Sequence, residues 1–166
     1  MKLSRTELDS GFSEKLFDID ANQFISDELT FFEKSIKGTI SVERITNGYH
    51  VRGYIEIPFE LTCDRCLIQF NELKQAEINL ILTDESELFN EDSDDVLLIS
   101  QTEHEIELGS IFRELILLEK QMKTICKEDC KGLCSNCGNN LNSEMCDCFS
   151  KTQDNPWEVL KNLKGK

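Results

Sequence analysis

The chain has 166 residues, of which 39% are hydrophobic and 30% charged, and its formal net charge is −14 at pH 7. That length holds one ordinary domain and a small appendage, and no apolar run approaches the roughly 18 residues that span a bilayer. Such an acidic chain repels phosphate backbones, whose binding rests on lysines and arginines displacing counterions; its composition points instead to a basic protein partner or to solubility alone. The opening residues Met1-Lys2-Leu3-Ser4-Arg5-Thr6-Glu7 turn polar at once and do not read as a secretory signal. A cytoplasmic location, with no membrane partner, is the resulting expectation.

Residues 1–35 carry Phe12, Leu16, Phe17, Ile19, Phe24 and Phe31 without a clear period, and are expected only to pack on the rest. From Ile36 the pattern sharpens. Ile40 and Val42 alternate with polar neighbours, and Asn47-Gly48 supplies a strong hairpin signal. In the return run Tyr49, Val51, Ile55 and Ile57 are expected on one face, with a bulge at Gly53. Pro58 cannot donate to a ladder and marks an edge, a bulge or a break. Phe59-Glu60-Leu61-Thr62 leads into Cys63-Asp64-Arg65-Cys66, a knuckle at a hairpin tip. Residues 76–83 read as a strand and 96–99 as a short one. Between them lies an acidic connection without the glycine and terminal glutamate of a calcium loop.

Ser110 is placed to cap a helix in which Ile111, Leu115, Leu118 and Met122 recur, reinforced by Phe112 and Ile116. Asp154-Asn155-Pro156-Trp157 starts a final short helix, with Trp157, Leu160 and Leu163 on one face and Lys161, Lys164 and Lys166 toward its end. The expected fold is α+β: an antiparallel β-sheet over about residues 36–100 covered by one amphipathic helix, then a cysteine-rich zinc-binding tail and a short C-terminal helix. Residues 1–125 would form the α+β domain, with 126–166 as the metal-binding tail packed on it.

Eight cysteines fall into four close pairs: Cys63-x2-Cys66, Cys126-x3-Cys130, Cys134-x2-Cys137 and Cys146-x-Cys148. Four thiolates complete the shell of a structural Zn²⁺, and a reducing compartment favours metal over disulfide for such pairs. Cys134, Cys137, Cys146 and Cys148 form a local set, with Gly132 and Gly138 freeing the backbone around an ion. Cys63, Cys66, Cys126 and Cys130 form a non-local set closing a long loop, so that binding energy becomes folding energy. Exchange of Cys126 and Cys130 with another pair stays open. One or two structural zinc ions are expected; two would take the formal charge to about −18. With cysteine at every position no coordination place is left for water, so the sites read as structural and not catalytic. Cys63-Asp64-Arg65-Cys66 is also a CxxC in which Arg65 would lower a thiol pKa, but it lacks a βαβ context. His50 and His104 read as surface residues, and no phosphate loop or nucleophile motif occurs. The chain is not expected to be an enzyme or to take a small-molecule substrate.

The string Cys126-Lys127-Glu128-Asp129-Cys130-Lys131-Gly132-Leu133-Cys134-Ser135-Asn136-Cys137-Gly138-Asn139-Asn140-Leu141-Asn142, with Cys63-Asp64-Arg65-Cys66 and Asn155-Pro156-Trp157-Glu158-Val159-Leu160, resembles the YceD-like family of bacterial and plastid proteins. The resemblance implies a non-enzymatic ribosome-biogenesis factor supporting synthesis, processing or stability of large-subunit (23S) ribosomal RNA. Prolines frequent in the family near Gln121 and Thr124 and at Ser135 are absent, so the long helix is expected to end differently here. Family members without the tail make its metal site a stabiliser. They leave the CxRC knuckle as the shared candidate, with Arg65 available to a phosphate or carboxylate. Two partners follow. Large-subunit rRNA would be touched by Arg65, Lys131, Trp157, Lys161 and Lys164, with Trp157 stacking on a base, although an anchor for its own helix is the preferred role of Trp157. A basic large-subunit ribosomal protein held by the acidic body fits the charge better. The competing classes are a zinc-dependent thiol redox switch or chaperone, and a zinc-stapled protein-interaction module unrelated to RNA.

Overall fold

The computed structural model describes residues 1–84, 96–100 and 102–150. The acidic residues 85–95 and the expected C-terminal helix lie outside the described residues. The chain divides into two compact units: a sheet unit of residues 1–61 and 69–124, and a cysteine unit of residues 62–68 and those from 125 on.

In the sheet unit the patternless start of the chain is ordered into β1 (Lys2–Ser4), α1 (Arg5–Ser10), β2 (Phe12–Asp20) and a 3₁₀ turn at Ala21–Gln23. Ser4 caps α1. Its hydroxyl accepts the Glu7 amide at 3.3 Å while the Glu7 carboxylate accepts the Ser4 amide at 2.9 Å, so two otherwise orphaned donors are satisfied. Glu7 also pairs with Lys15. The Lys15 ammonium, then the two bonds from Ser4, hold its carboxyl at about 2. A carboxylate depressed on folding stabilises above its unfolded pKa and loses that contribution as pH falls through its folded one. Glu7→Gln is therefore expected to lower the unfolding midpoint near neutral pH. The gap to wild type should close as pH falls from 4.5 toward about 2. A gap unchanged across that window in acid-titrated melts would contradict the assignment.

β3 (Ser35–Ile45), β4 (Gly48–Thr62), β5 (Gln69–Thr83) and β6 (Val96–Leu98) join β2 in a five-stranded sheet ordered β2-β3-β4-β5-β6, while β7 (Glu105–Glu107) pairs with β1. Two expectations are corrected. The sheet starts at Phe12 and not near residue 36, and it is not wholly antiparallel, because β6 runs parallel to β5 from Ile81↔Val96 to Thr83↔Leu98. A parallel neighbour needs a crossover of about a dozen residues, and the 84–95 connection supplies that length.

One face is buried along every long strand: Ile36, Ile40 and Val42 in β3; Tyr49, Val51, Ile55, Ile57 and Phe59 in β4; Ala76, Ile78, Leu80 and Leu82 in β5. Residues two apart share a face, so the four expected positions of β4 already agree in parity. The bulge expected at Gly53 is absent: the β3–β4 register runs unbroken from Lys37↔Glu56 to Ile45↔Gly48. The register shift lies in β2, between Phe12 and Lys15. Gly53 answers a different need, since a Cβ there would stand 2.0 Å from the Thr39 carbonyl oxygen.

The hairpin turn falls one residue earlier than the Asn47-Gly48 signal places it. Ile45 pairs with Gly48, leaving Thr46-Asn47 as the loop. Gly48 opens β4 at φ +148°, and a Cβ there would lie 2.0 Å from the Leu82 carbonyl oxygen. Pro58 does not break β4. The β3 ladder ends at Glu56 and residues near Phe31 take over through the Phe31–Phe59 bridge, so the missing donor falls between two partners.

α2 (Gly109–Glu119) has Leu108 at its N-cap and no side-chain cap, so Ser110 does not play the capping role. Phe112 and Ile116 are fully buried, Ile111 and Leu115 pack partly on the core, and the Phe112 ring lies 5.5 Å from that of Phe17. The apolar stripe covers less than expected. Leu118 is 80% exposed, and Met122 lies beyond the helix, fully exposed, because the backbone turns extended at Lys120. Among the described residues no helix is long and apolar enough to cross a membrane.

Candidate metal centres

All eight cysteines belong to the cysteine unit. β4 ends at Thr62 and β5 begins at Gln69, so Cys63-Asp64-Arg65-Cys66 forms the knuckle between two strands. The sulfurs of Cys63, Cys66, Cys126 and Cys130 lie within 4.8 Å of one another, and those of Cys134, Cys137, Cys146 and Cys148 do the same. The Cys63–Cys130 and Cys66–Cys126 separations are 3.9 and 3.6 Å. Four sulfurs about 2.3 Å from one centre stand about 3.8 Å apart at the corners of a tetrahedron, so each donor set fits a closed tetrahedral ion. Three cysteines of the first cluster are buried, whereas Cys137 of the second is exposed. Neither histidine joins either group. His50 lies in β4, where its ring bonds Asn79 and Arg52.

Local backbone explains how the clusters form. After Cys66 the chain turns left-handed at Leu67 (φ +59°), and the Leu67 amide returns to the Cys63 carbonyl at 2.9 Å. After Cys137 it does the same at Gly138 (φ +75°), whose amide meets the Cys134 carbonyl at 2.9 Å. Such a turn aims amides at the first sulfur of each pair. Burial raises the Cys63 thiol, but the amides of Cys126, Cys66 and Arg65 outweigh it and hold the group at about 6. The amides of Cys137 and Asn136, with the Cys146 thiol, hold Cys134 at about 6 against burial. Burial, then the neighbouring thiols, push Cys126 up to about 12. The Cys137 thiol, then burial, push Cys148 up to about 12. Left alone, each cluster ionises only in part because like charges this close repel; a dication at the centre removes that conflict.

Arg65 is engaged within the unit. Its Nη1 donates to the Cys130 carbonyl at 3.0 Å, and its own carbonyl accepts the Leu133 amide at 3.0 Å. The guanidinium therefore braces the first cluster through one of its donors, while the residue stays exposed. Sequence reasoning passed over Asn142. Its Nδ2 donates to Cys130 Sγ at 3.3 Å, and its Oδ1 accepts the Lys131 amide at 2.9 Å. Asn140 fixes it in turn, accepting from its backbone and side chain at 2.9 and 2.8 Å. The Leu133–Asn140 bridge thus lets a loop of the second cluster supply a hydrogen bond to a sulfur of the first. The asparagines were visible inside the motif string, but nothing in their spacing tells which thiol they reach. Lys131 is exposed. Trp157, Lys161 and Lys164 lie outside the described residues.

Fold and site together define a class: a small, mostly β protein whose cysteine unit is built around two closed tetrathiol clusters able to hold metal. Within that class the chain belongs to the family described as "Large ribosomal RNA subunit accumulation protein YceD", which its residues 51–164 match. It is similar to the chloroplastic large ribosomal RNA subunit accumulation protein YCED homolog 1 of Arabidopsis thaliana, 40% identical over 60 residues, covering 36% of this chain and 19% of that one. The homolog 1 of Zea mays is 26% identical over 155 residues, covering 76% of this chain and 52% of that one. The chain thus matches about a fifth and about half of the lengths of these curated relatives. No solved structure matches it. The family is named for an accumulation role and not for a reaction. Both plant proteins are named as chloroplastic and lend no support to the cytoplasmic location expected from the sequence.

Proposed function

We propose that the chain is a non-enzymatic factor in large-subunit rRNA accumulation, that its eight cysteines hold two structural zinc ions, and that it acts by holding a basic ribosomal protein on its sheet unit. The observation that carries the partner is where the charge lies. Seven acidic and seven basic residues fall in the cysteine unit, so the formal −14 of the side chains lies on the sheet unit, while two zinc ions on eight thiolates would add only about −4 to the cysteine unit. A surface of that sign attracts a lysine- and arginine-rich chain and repels a phosphate backbone.

A groove beside α2 and β5 supports this reading. Leu80, Ile111, Leu115 and Leu118 line its apolar part, Glu77 and Glu114 its polar part, and its volume is about 480 Å³. Among the described residues no lysine or arginine lines it, and neither glutamate has an ion pair. Apolar anchors flanked by basic residues suit such a groove. Loss of the chain is expected to lower large-subunit rRNA relative to small-subunit rRNA; unchanged rRNA levels would end the reading. Leu118→Asp, at an 80% exposed position, separates groove from general field. Seating in the groove predicts about tenfold or more weaker binding of the basic protein, whereas attraction by net charge alone predicts slightly tighter binding. Cross-links to rRNA with no ribosomal protein bound would favour direct RNA contact.

A further inference from the structure

The two CxxC knuckles make the same turn with different residues. In Cys134-Ser135-Asn136-Cys137-Gly138 the left-handed position is a glycine, φ +75°; in Cys63-Asp64-Arg65-Cys66-Leu67 it is a leucine, φ +59°. Glycine adopts this conformation freely, whereas a Cβ crowds the following carbonyl. Leu67 buries little in return, since it is 64% exposed and its neighbour Ile68 is 43% exposed. Strain held at an exposed apolar residue marks a side chain kept for something outside the fold.

We propose that Leu67 and Ile68 form a rigid apolar anchor that inserts into an apolar pocket on a protein partner. The tip is held on both sides. The Leu67 amide bonds the Cys63 carbonyl and the Ile68 carbonyl accepts the Cys63 amide, each at 2.9 Å, so little freedom is left to lose on binding. The chemistry favours a protein over a nucleic acid. Two aliphatic side chains offer no stacking face. Two cations of the unit have partners within it, Arg65 on the Cys130 carbonyl and Lys127 with Asp129 at 3.6 Å, and Lys131 is exposed. An area of two side chains is too small for a stable dimer of this chain and suits a central anchor inside a larger interface.

The cellular readout rests on the rRNA-accumulation reading, so the test carries a second readout that does not. Full-length wild type, Leu67→Gly and Leu67→Ala are compared for zinc content, melting midpoint and rescue of large-subunit rRNA in cells lacking the chain. Leu67→Gly is expected to keep its zinc and melt no lower than wild type, yet to lose rescue; Leu67→Ala should lose rescue equally. Full rescue by either variant, or a fall in melting midpoint of Leu67→Gly, would overturn the anchor. Separately, a photo-crosslinking residue placed at position 68 is expected to give a protein adduct of defined mass that disappears when Leu67→Gly is added. A nuclease-sensitive adduct, a self-adduct or none would overturn the proposal even if loss of the chain left rRNA unchanged.

Discussion

Cys130→Ser is expected to drop zinc from two ions per chain to one and, under reducing conditions, to loosen the part of the cysteine unit that the first cluster holds, while the Cys134, Cys137, Cys146 and Cys148 cluster keeps its ion. Among the described residues that unit buries no hydrophobic side chain except its cysteines, Cys63, Cys66, Cys130 and Cys134. Without an apolar core, its order rests on ligation, which in small structural zinc sites supplies about 10–16 kcal/mol. Cys130 also stands where the unit is most densely tied, accepting Asn142 Nδ2 at its sulfur and Arg65 Nη1 at its carbonyl. Cys146→Ser should remove the other ion. The melting transition of the sheet unit should persist in both variants, because its core is built from Ile36, Phe59, Phe112 and their neighbours and holds no cysteine. Metal analysis with limited proteolysis of residues beyond 125 would decide. Two zinc ions retained in Cys130→Ser, or none in reduced wild type, would sink the two-site reading, and fast-reacting thiols in the wild type would revive the redox alternative.

The second large effect falls in the sheet unit. Gly48→Ala is expected to cost about 2–4 kcal/mol, combining overpacking against a fixed neighbour with an unfavourable backbone. The added methyl would stand 2.0 Å from the Leu82 carbonyl oxygen, a backbone atom that cannot swing aside, while φ stays at +148°. Gly138→Ala is the control. Its φ of +75° is also left-handed but nothing lies within 4 Å of the new carbon, so only the conformational cost of about 1–2 kcal/mol applies. Denaturant midpoints measured with zinc present would rank the two. An equal cost would mean that β4 does not approach β5 as closely at Gly48 as the structure has it.

How far the chain could be read in advance follows from the range of the forces involved. Alternation in β3 and β4 was legible because period-two burial is written residue by residue. The knuckle was legible from strand-like runs flanking a CxxC. The turn at Thr46-Asn47 was placed one residue late because Gly48 answers to Leu82, far along the chain, and not to its own turn. The α2 stripe was read too wide, since Leu118 and Met122 have helical spacing but no opposing surface to bury them. The capping box at Ser4 and Glu7 is present in the string, but the six-residue helix it starts is too short to show a hydrophobic period.

By itself the sequence determined what is local: two-residue alternation, paired cysteines, turn glycines, and the motif string that places the chain in its family. Tertiary structure alone decided that Cys126 and Cys130 join the knuckle sulfurs and not another pair, that β6 joins β5 in parallel, that Arg65 bonds the Cys130 carbonyl, and that Leu67 holds a glycine-like turn while exposed. The first three depend on a partner distant in sequence. Local side-chain preferences are worth tenths of a kcal/mol to about 1 kcal/mol and act at fixed spacing, whereas a long-range contact is selected by the summed packing and ligation of the whole chain, which no short window contains.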